Sequence, residues 1–172
     1  MKKITDIRGL LEHELQDLYS AETQIIEALP QMEQAASDAQ LKKAFKTHLE
    51  QTKKQRDRLE KVAKQMGAET GGHTCKAMQG LVKEGQEVIK MAASDEARDA
   101  ALIAAAQRVE HYEIAGYGTA RHYANMLGES EIADLLAQTL DEEKDTDELL
   151  NDLAIQKINK EAQQGASRQK SR

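Results

Sequence analysis

The chain has 172 residues, of which 40% are apolar, 31% charged and 3% aromatic, and its net charge is −6. That length suits one domain of about 100–200 residues, and a single Pro, a single Cys and ten Gly exclude collagen, a disulfide scaffold and a disordered tail protein. Four Tyr, one Phe and no Trp argue against a base-stacking nucleic-acid module, and the acidic balance argues against broad binding of phosphate backbones.

Ala, Leu, Glu, Lys and Gln abound and Pro is nearly absent, which points to long helices. The first runs through Ile4, Ile7, Leu11, Leu15, Leu18, Ile25 and Leu29 at spacings of three and four. Pro30 lacks an N–H and is expected to kink or end it, with residues 31–36 as a last turn. Ser37-Asp38 then offers a cap for a second helix with the stripe Leu41, Phe45, His48, Thr52, Gln55, Leu59, Val62 and Met66. Gly67 is placed to close that helix, and residues 68–74 read as a loop. A shorter amphipathic segment holds Met78, Leu81, Val82, Val88, Ile89 and Met91, with Gly80 and Gly85 weakening its continuity. Ser94-Asp95 caps a third long helix through Leu102, Ala106, Val109, Glu113, Tyr117 and Ala120 to Leu127. Gly128 ends it. Glu129-Ser130 opens a fourth with Ile132, Leu136, Thr139, Glu143, Thr146, Leu150 and Leu153. Residues 1–160 make one helical domain, and 161–172 have little to bury and read as a frayed or disordered tail.

Short turns near residues 37 and 128 make each pair of long helices antiparallel, and the stretch between the pairs is long enough to cross the molecule end to end. The expected architecture is all-α: a ferritin-like four-helix bundle whose long crossover carries an additional short helix. No stretch approaches the roughly 18 apolar residues of a membrane span. Met1-Lys2-Lys3 is not followed by an apolar signal core, and the lone Cys75 has no partner in the chain for a disulfide. These features lead us to expect a cytoplasmic protein that binds neither membrane nor nucleic acid.

A helix turns by about 100° per residue, so each side chain can be set against its apolar stripe. Glu22 falls within the arc of Leu11, Leu18, Ile25 and Leu29. Glu110 and Glu113 share the arc of Leu102, Ala106 and Tyr117, and Glu143 lies between Thr139 and Leu150. With turns centred near 37 and 128, Glu22 stands opposite Thr52, Glu113 opposite Glu143, and Glu110 opposite Thr146. Four inward carboxylates at one level are costly unless paired, protonated or bound to cations. Anionic oxygen ligands of this kind can neutralise two metal ions inside a helical bundle.

The segments Asp17-Leu-Tyr-Ser-Ala-Glu22, His48-Leu-Glu-Gln-Thr52 and Cys75-Lys-Ala-Met78 add a further signal, as do Val109-Glu-His-Tyr-Glu113-Ile-Ala-Gly-Tyr117 and Leu140-Asp-Glu-Glu-Lys144. Together, in this order over about residues 4–160, they closely resemble the YciF/YciE-like stress proteins of the ferritin-like, rubrerythrin-like superfamily. The resemblance implies a homodimer of such bundles with a di-iron centre. The family's second-helix pattern His-Leu-x-Glu-Thr is broken by Gln51, which keeps an oxygen but removes one negative charge. The Glu-x-x-His pairs of related di-iron bundles are missing, since Glu143 is followed three residues later by Thr146.

The leading expectation is a dinuclear iron or manganese centre held by Glu22, Glu110, Glu113 and Glu143, with His48, Gln51 and Thr146 as secondary or water-mediated partners. Its chemistry would be a redox reaction with oxygen or peroxide in stress protection. A competing reading is a metal-free dimeric helical interaction protein that keeps the fold without activity. His73-Thr-Cys75 is too little for a zinc site. The run Lys53-Lys54-Gln-Arg56-Asp-Arg58 reads as a solvated helix face, and His111 as a surface residue.

Overall fold

The computed structural model describes the backbone of residues 4–169 and the side chains of residues 4–164. Helix α1 (Ile7–Ala35) starts on Asp6, whose carboxylate accepts the Gly9 N–H, and continues past Pro30 to Ala35. Helix α2 (Ala39–Met66) is capped by Asp38, which accepts from the N–H groups of Gln40 and Leu41. It ends on Gly67 at φ +66°, a left-handed conformation that glycine adopts without a Cβ clash. Helix α3 (Lys76–Ile89) is unbroken through both Gly80 and Gly85. Helix α4 (Asp95–Met126) is capped by the Ser94 hydroxyl, and helix α5 (Ser130–Leu153) follows a turn at Gly128 with φ +74°. A five-residue π-helical stretch, Ala154–Ile158, leads into helix α6 (Asn159–Gln169). The backbone thus keeps helical form into the segment expected to fray, and the side chains beyond residue 164 lie outside the described residues.

The architecture is all-α and bundle-like. Helix α1 packs against α2 and α4, and α5 packs against the same two, so the four long helices close a ring. Helix α3 lies across α1 and α4. Early α1 (Leu11, Leu15, Leu18) shares an apolar cluster with late α4 (Tyr117, Ala120, Ala124), whereas Ile25, Leu29 and Met32 share another with Leu102, Ile103 and Ala106. Helices α1 and α4 therefore run antiparallel, and the segment containing α3 carries the chain from one end of the ring to the other. At that far end Asp99, buried on α4, accepts the N–H groups of Ser37 and Asp38 at 2.8 and 2.7 Å and clamps the α1–α2 turn. Gly116 sits where α4 approaches α1, and a Cβ there would come within 2.8 Å of Leu18.

The apolar core is divided into those two clusters, one at each end of the ring. Between them lies a layer of buried polar side chains: Glu22, His48, Thr52, Gln55, Glu110, Glu113 and Glu143. A buried Leu in such a position would contribute about 1.5–3 kcal/mol, so this layer forgoes stability that an apolar filling would supply. No helix among the described residues is long and apolar enough to cross a membrane.

Candidate metal centre

Each of the four long helices contributes to the polar layer from the face that elsewhere carries Leu and Ala. Helix α4 supplies Glu110 and Glu113, α5 supplies Glu143, and α2 supplies His48. One ligand atom from each of these four residues lies within 4.8 Å of all the others. All four are buried; Glu143 is 0% exposed, Glu110 and Glu113 1%, and His48 3%. His48 Nε2 approaches Glu110 Oε1 to 3.3 Å. Glu22 on α1 is also fully buried but stands outside that group of four, with Tyr117 donating its phenolic proton to Glu22 Oε1.

Most polar atoms of this layer lack hydrogen-bond partners. Both oxygens of Glu113 and of Glu143 are unpaired, as are one oxygen each of Glu22 and Glu110, both ring nitrogens of His48, and Gln55 Oε1. Buried polar groups are almost always satisfied. A set of orphaned oxygens and an imidazole around one point fits a divalent cation, because carboxylates suit Mn and Mg while imidazole also suits Fe.

The protonation states point the same way. Burial, followed by the charge of Glu143, pushes Glu110 well above the usual carboxylate range. Glu22 is raised by burial and then by Glu143, against the lowering bond from Tyr117. Glu113 is raised by burial and then by Glu22 and Glu143. Burial lifts Glu143 to about 7, with the Arg58 charge among the influences opposing the rise. Burial lowers His48 to about 4, which leaves its imidazole neutral near pH 7 and able to ligate. Without cations, burial and mutual repulsion favour the protonated forms of these carboxyls.

The remaining candidates fall around this group. Gln51 is half-buried. The buried amide on α2 is Gln55, one turn further on, whose Nε2 donates to Glu142 Oε2 at 3.1 Å. Thr146 turns its hydroxyl back to the Glu142 carbonyl at 3.0 Å, and Thr52 does the same to the His48 carbonyl at 2.8 Å. His111 is exposed, in keeping with its expected place on the surface.

Arg58 departs from the solvated face expected for its run. Its guanidinium makes two 3.0 Å bonds to Glu142 and a third to the Thr139 hydroxyl, and only 11% of the side chain is exposed. It neutralises Glu142, whose carboxyl is held below the usual range despite burial. A second polar chain ties the loop before α3 to the ring. Tyr112 donates to Asp17 Oδ2, Cys75 Sγ lies 2.9 Å from the Tyr112 oxygen, and His73 Nε2 is 2.8 Å from Asp17 Oδ1. Cys75 itself is fully buried and caps α3, matching its reading as a small buried residue at the start of that helix.

Comparison with known proteins adds a family to this geometry. The model of a domain family of unknown function, DUF892, matches residues 6–163. The protein YciF of Escherichia coli K12 is 47% identical over 167 residues, covering 96% of this chain and 99% of that protein. The crystal structure of the E. coli stress protein YciF superposes with a TM-score of 0.88 at 46% identity, over 91% of this chain and 99% of the other. YcfI from Rhodopseudomonas palustris superposes with a TM-score of 0.83 at 42% identity, over 87% and 96%. A Xanthomonas campestris protein at 20% identity and a TM-score of 0.72 shares the fold, over 92% of this chain and 99% of that one. The family model and these matches make the chain a member of the DUF892 family, a homologue of the stress protein YciF.

Proposed function

We propose that the chain is a ferritin-like stress-response protein that binds two divalent metal ions, iron or manganese, inside its bundle and supports redox chemistry with oxygen or peroxide. The observation that carries this reading is the layer of unpaired buried oxygens and imidazole nitrogens between two apolar clusters. Glu22, Glu110, Glu113 and Glu143 together supply four negative charges when ionised, which balances two divalent cations. His48 would add a neutral nitrogen ligand from α2, and the Gln55 carbonyl oxygen stands free beside them.

When bound, the metal would supply one-electron chemistry with oxygen or peroxide. The chain's own part is to orient and exclude. Tyr117 fixes the Glu22 carboxylate and leaves its Oε2 free for a cation. Arg58 and Gln55 engage and neutralise the Glu142 carboxylate, and the two apolar clusters keep bulk water from either end. A bound cation would displace the protons that burial favours on Glu110, Glu113 and Glu143, and without one those protons keep the layer tolerable. The association with stress comes from the name of the E. coli relative.

Elemental analysis of protein purified without a metal-affinity tag tests the reading. Iron or manganese near two ions per chain, lost in Glu113→Ala, supports it; metal-free protein that stays so under anaerobic loading with ferrous or manganous ions overturns it. A homodimer in the cytoplasm is part of the same proposal and is read by sedimentation and cell fractionation.

A further inference from the structure

A cavity of about 30 Å³ opens between α1, α3 and α4 and reaches the edge of the polar layer. Its walls are aliphatic, with Leu29 from α1, Val82 and Ile89 from α3, and Ala106 and Val109 from α4. The exposed Gln31 and the half-buried Gln86 stand at its rim, and the buried His48 and Glu110 form its inner wall. His48 is 3% exposed, and neither of its ring nitrogens has a hydrogen-bond partner.

Gly85 adds a second, independent observation. It lies in the interior of α3, where glycine is a poor helix former, and it is buried against the cavity. A Cβ built on it meets nothing within 4 Å, so backbone crowding does not account for the missing side chain. What the glycine leaves behind is space.

From these features we infer that the cavity is a docking and entry site for dioxygen, kept open by Gly85 and ending on His48 and Glu110. The inference rests on the oxygen-linked reading above and narrows its co-reactant. Size and polarity argue for this occupant. The volume holds roughly two water-sized atoms, since one water needs about 10–15 Å³ by the same measure. Apolar cavities take up apolar guests such as benzene and xenon, and the aliphatic wall here offers a polar guest few partners before His48 and Glu110. Hydrogen peroxide would lose its hydrogen bonds to water along the aliphatic wall and regain few before His48. Dioxygen has none to lose.

The test uses the full-length, metal-free protein, so it does not depend on metal loading. Dissolved dioxygen under pressure broadens the methyl NMR signals of residues it visits. Broadening of the Leu29, Val82, Ala106 and Val109 methyls is expected to exceed that of Leu11, Leu15 and Leu136 in the other cluster. The excess should vanish in Gly85→Leu and shrink in Gly85→Ala, which should be at least as thermostable as the parent because alanine favours the helix. Xenon should shift the same methyls, whereas millimolar hydrogen peroxide should not. Equal broadening in both clusters, an excess that survives Gly85→Leu, or equal shifts with peroxide would overturn the inference. If Gly85→Leu does not fold, Gly85→Ala decides alone, and an undiminished excess there overturns it. Failure of these gas experiments with metal uptake intact removes this inference only; failed metal uptake with the gas results intact removes the metal reading instead.

Discussion

Tyr117 on α4 donates its hydroxyl proton to Glu22 Oε1 on α1, and both side chains are completely buried. The bond spans the two antiparallel helices and settles which Glu22 oxygen is free to face the polar layer. Tyr117→Phe removes the donor and leaves a second buried oxygen unpaired. The expected cost is about 1–3 kcal/mol of stability, read as a lower urea midpoint with an unchanged slope. Loss of the orienting partner should also weaken metal binding by about 10–100-fold in calorimetric titration.

The titration of the layer makes the stability of the metal-free protein depend on pH in an unusual sense. Burial raises Glu143 from 4.5 to about 7, and Glu110 and Glu113 are raised as well. A raised carboxyl binds its proton more tightly when folded, so its contribution is present in full below about pH 4.5 and is lost as pH rises through about 7. Glu143 alone should lower stability by on the order of 3 kcal/mol across that window. Thermal melts of metal-free protein between pH 5 and 8 should therefore fall with pH. Manganese should flatten or reverse the slope, because it displaces the same protons.

Asp17 has the opposite sign. Burial would raise it, yet bonds from Tyr112, Cys75 and His73 outweigh burial and lower it below 3.8. Its contribution is present above pH 3.8 and is lost as pH falls through the lowered value. Asp17→Asn should therefore destabilise the protein near neutral pH and flatten the acid limb of its stability profile. Metal content should not change.

Arg58→Met keeps much of the stem and removes the charge that Glu142 relies on. Glu142 is 25% exposed on its side chain, so water partly compensates it and the loss should be about 2 kcal/mol, below the 3–5 kcal/mol of a fully buried pair. Arg58→Met with Glu142→Leu should recover most of that loss in a double-mutant cycle read by urea denaturation.

Much of the fold was legible because helix ends and faces are written locally. Asp38, Ser94, Gly67 and Gly128 mark ends through capping and left-handed turns, and the stripe of α2 from Leu41 to Met66 is buried as its periodicity requires. The inward Glu residues were legible for the same reason, since 100° steps put them among leucines. Arg58 was not: its direction is decided by Glu142 and Thr139 on another helix, and a long stem can reach inward from the edge of a polar face. Gln51, which the motif singles out, is half-buried, whereas Gln55, about 20° from His48 around the helix, is fully buried in the layer. The chain from Cys75 through Tyr112 to Asp17 joins three separate segments, so no local pattern announces it.

The most direct test replaces one unpaired carboxylate by its neutral isostere and follows stability with and without metal. If Glu113 exists to bind a cation, Glu113→Gln should make the metal-free protein more stable at pH 8 by about 1–3 kcal/mol, because an uncompensated buried acid has gone. The same variant should lose the rise in melting temperature that ferrous or manganous ions give the parent. A Glu113→Gln protein that is less stable without metal, in a parent that melts at the same temperature with and without these ions, would contradict the metal centre and leave a structural hydrogen-bonded carboxyl in its place.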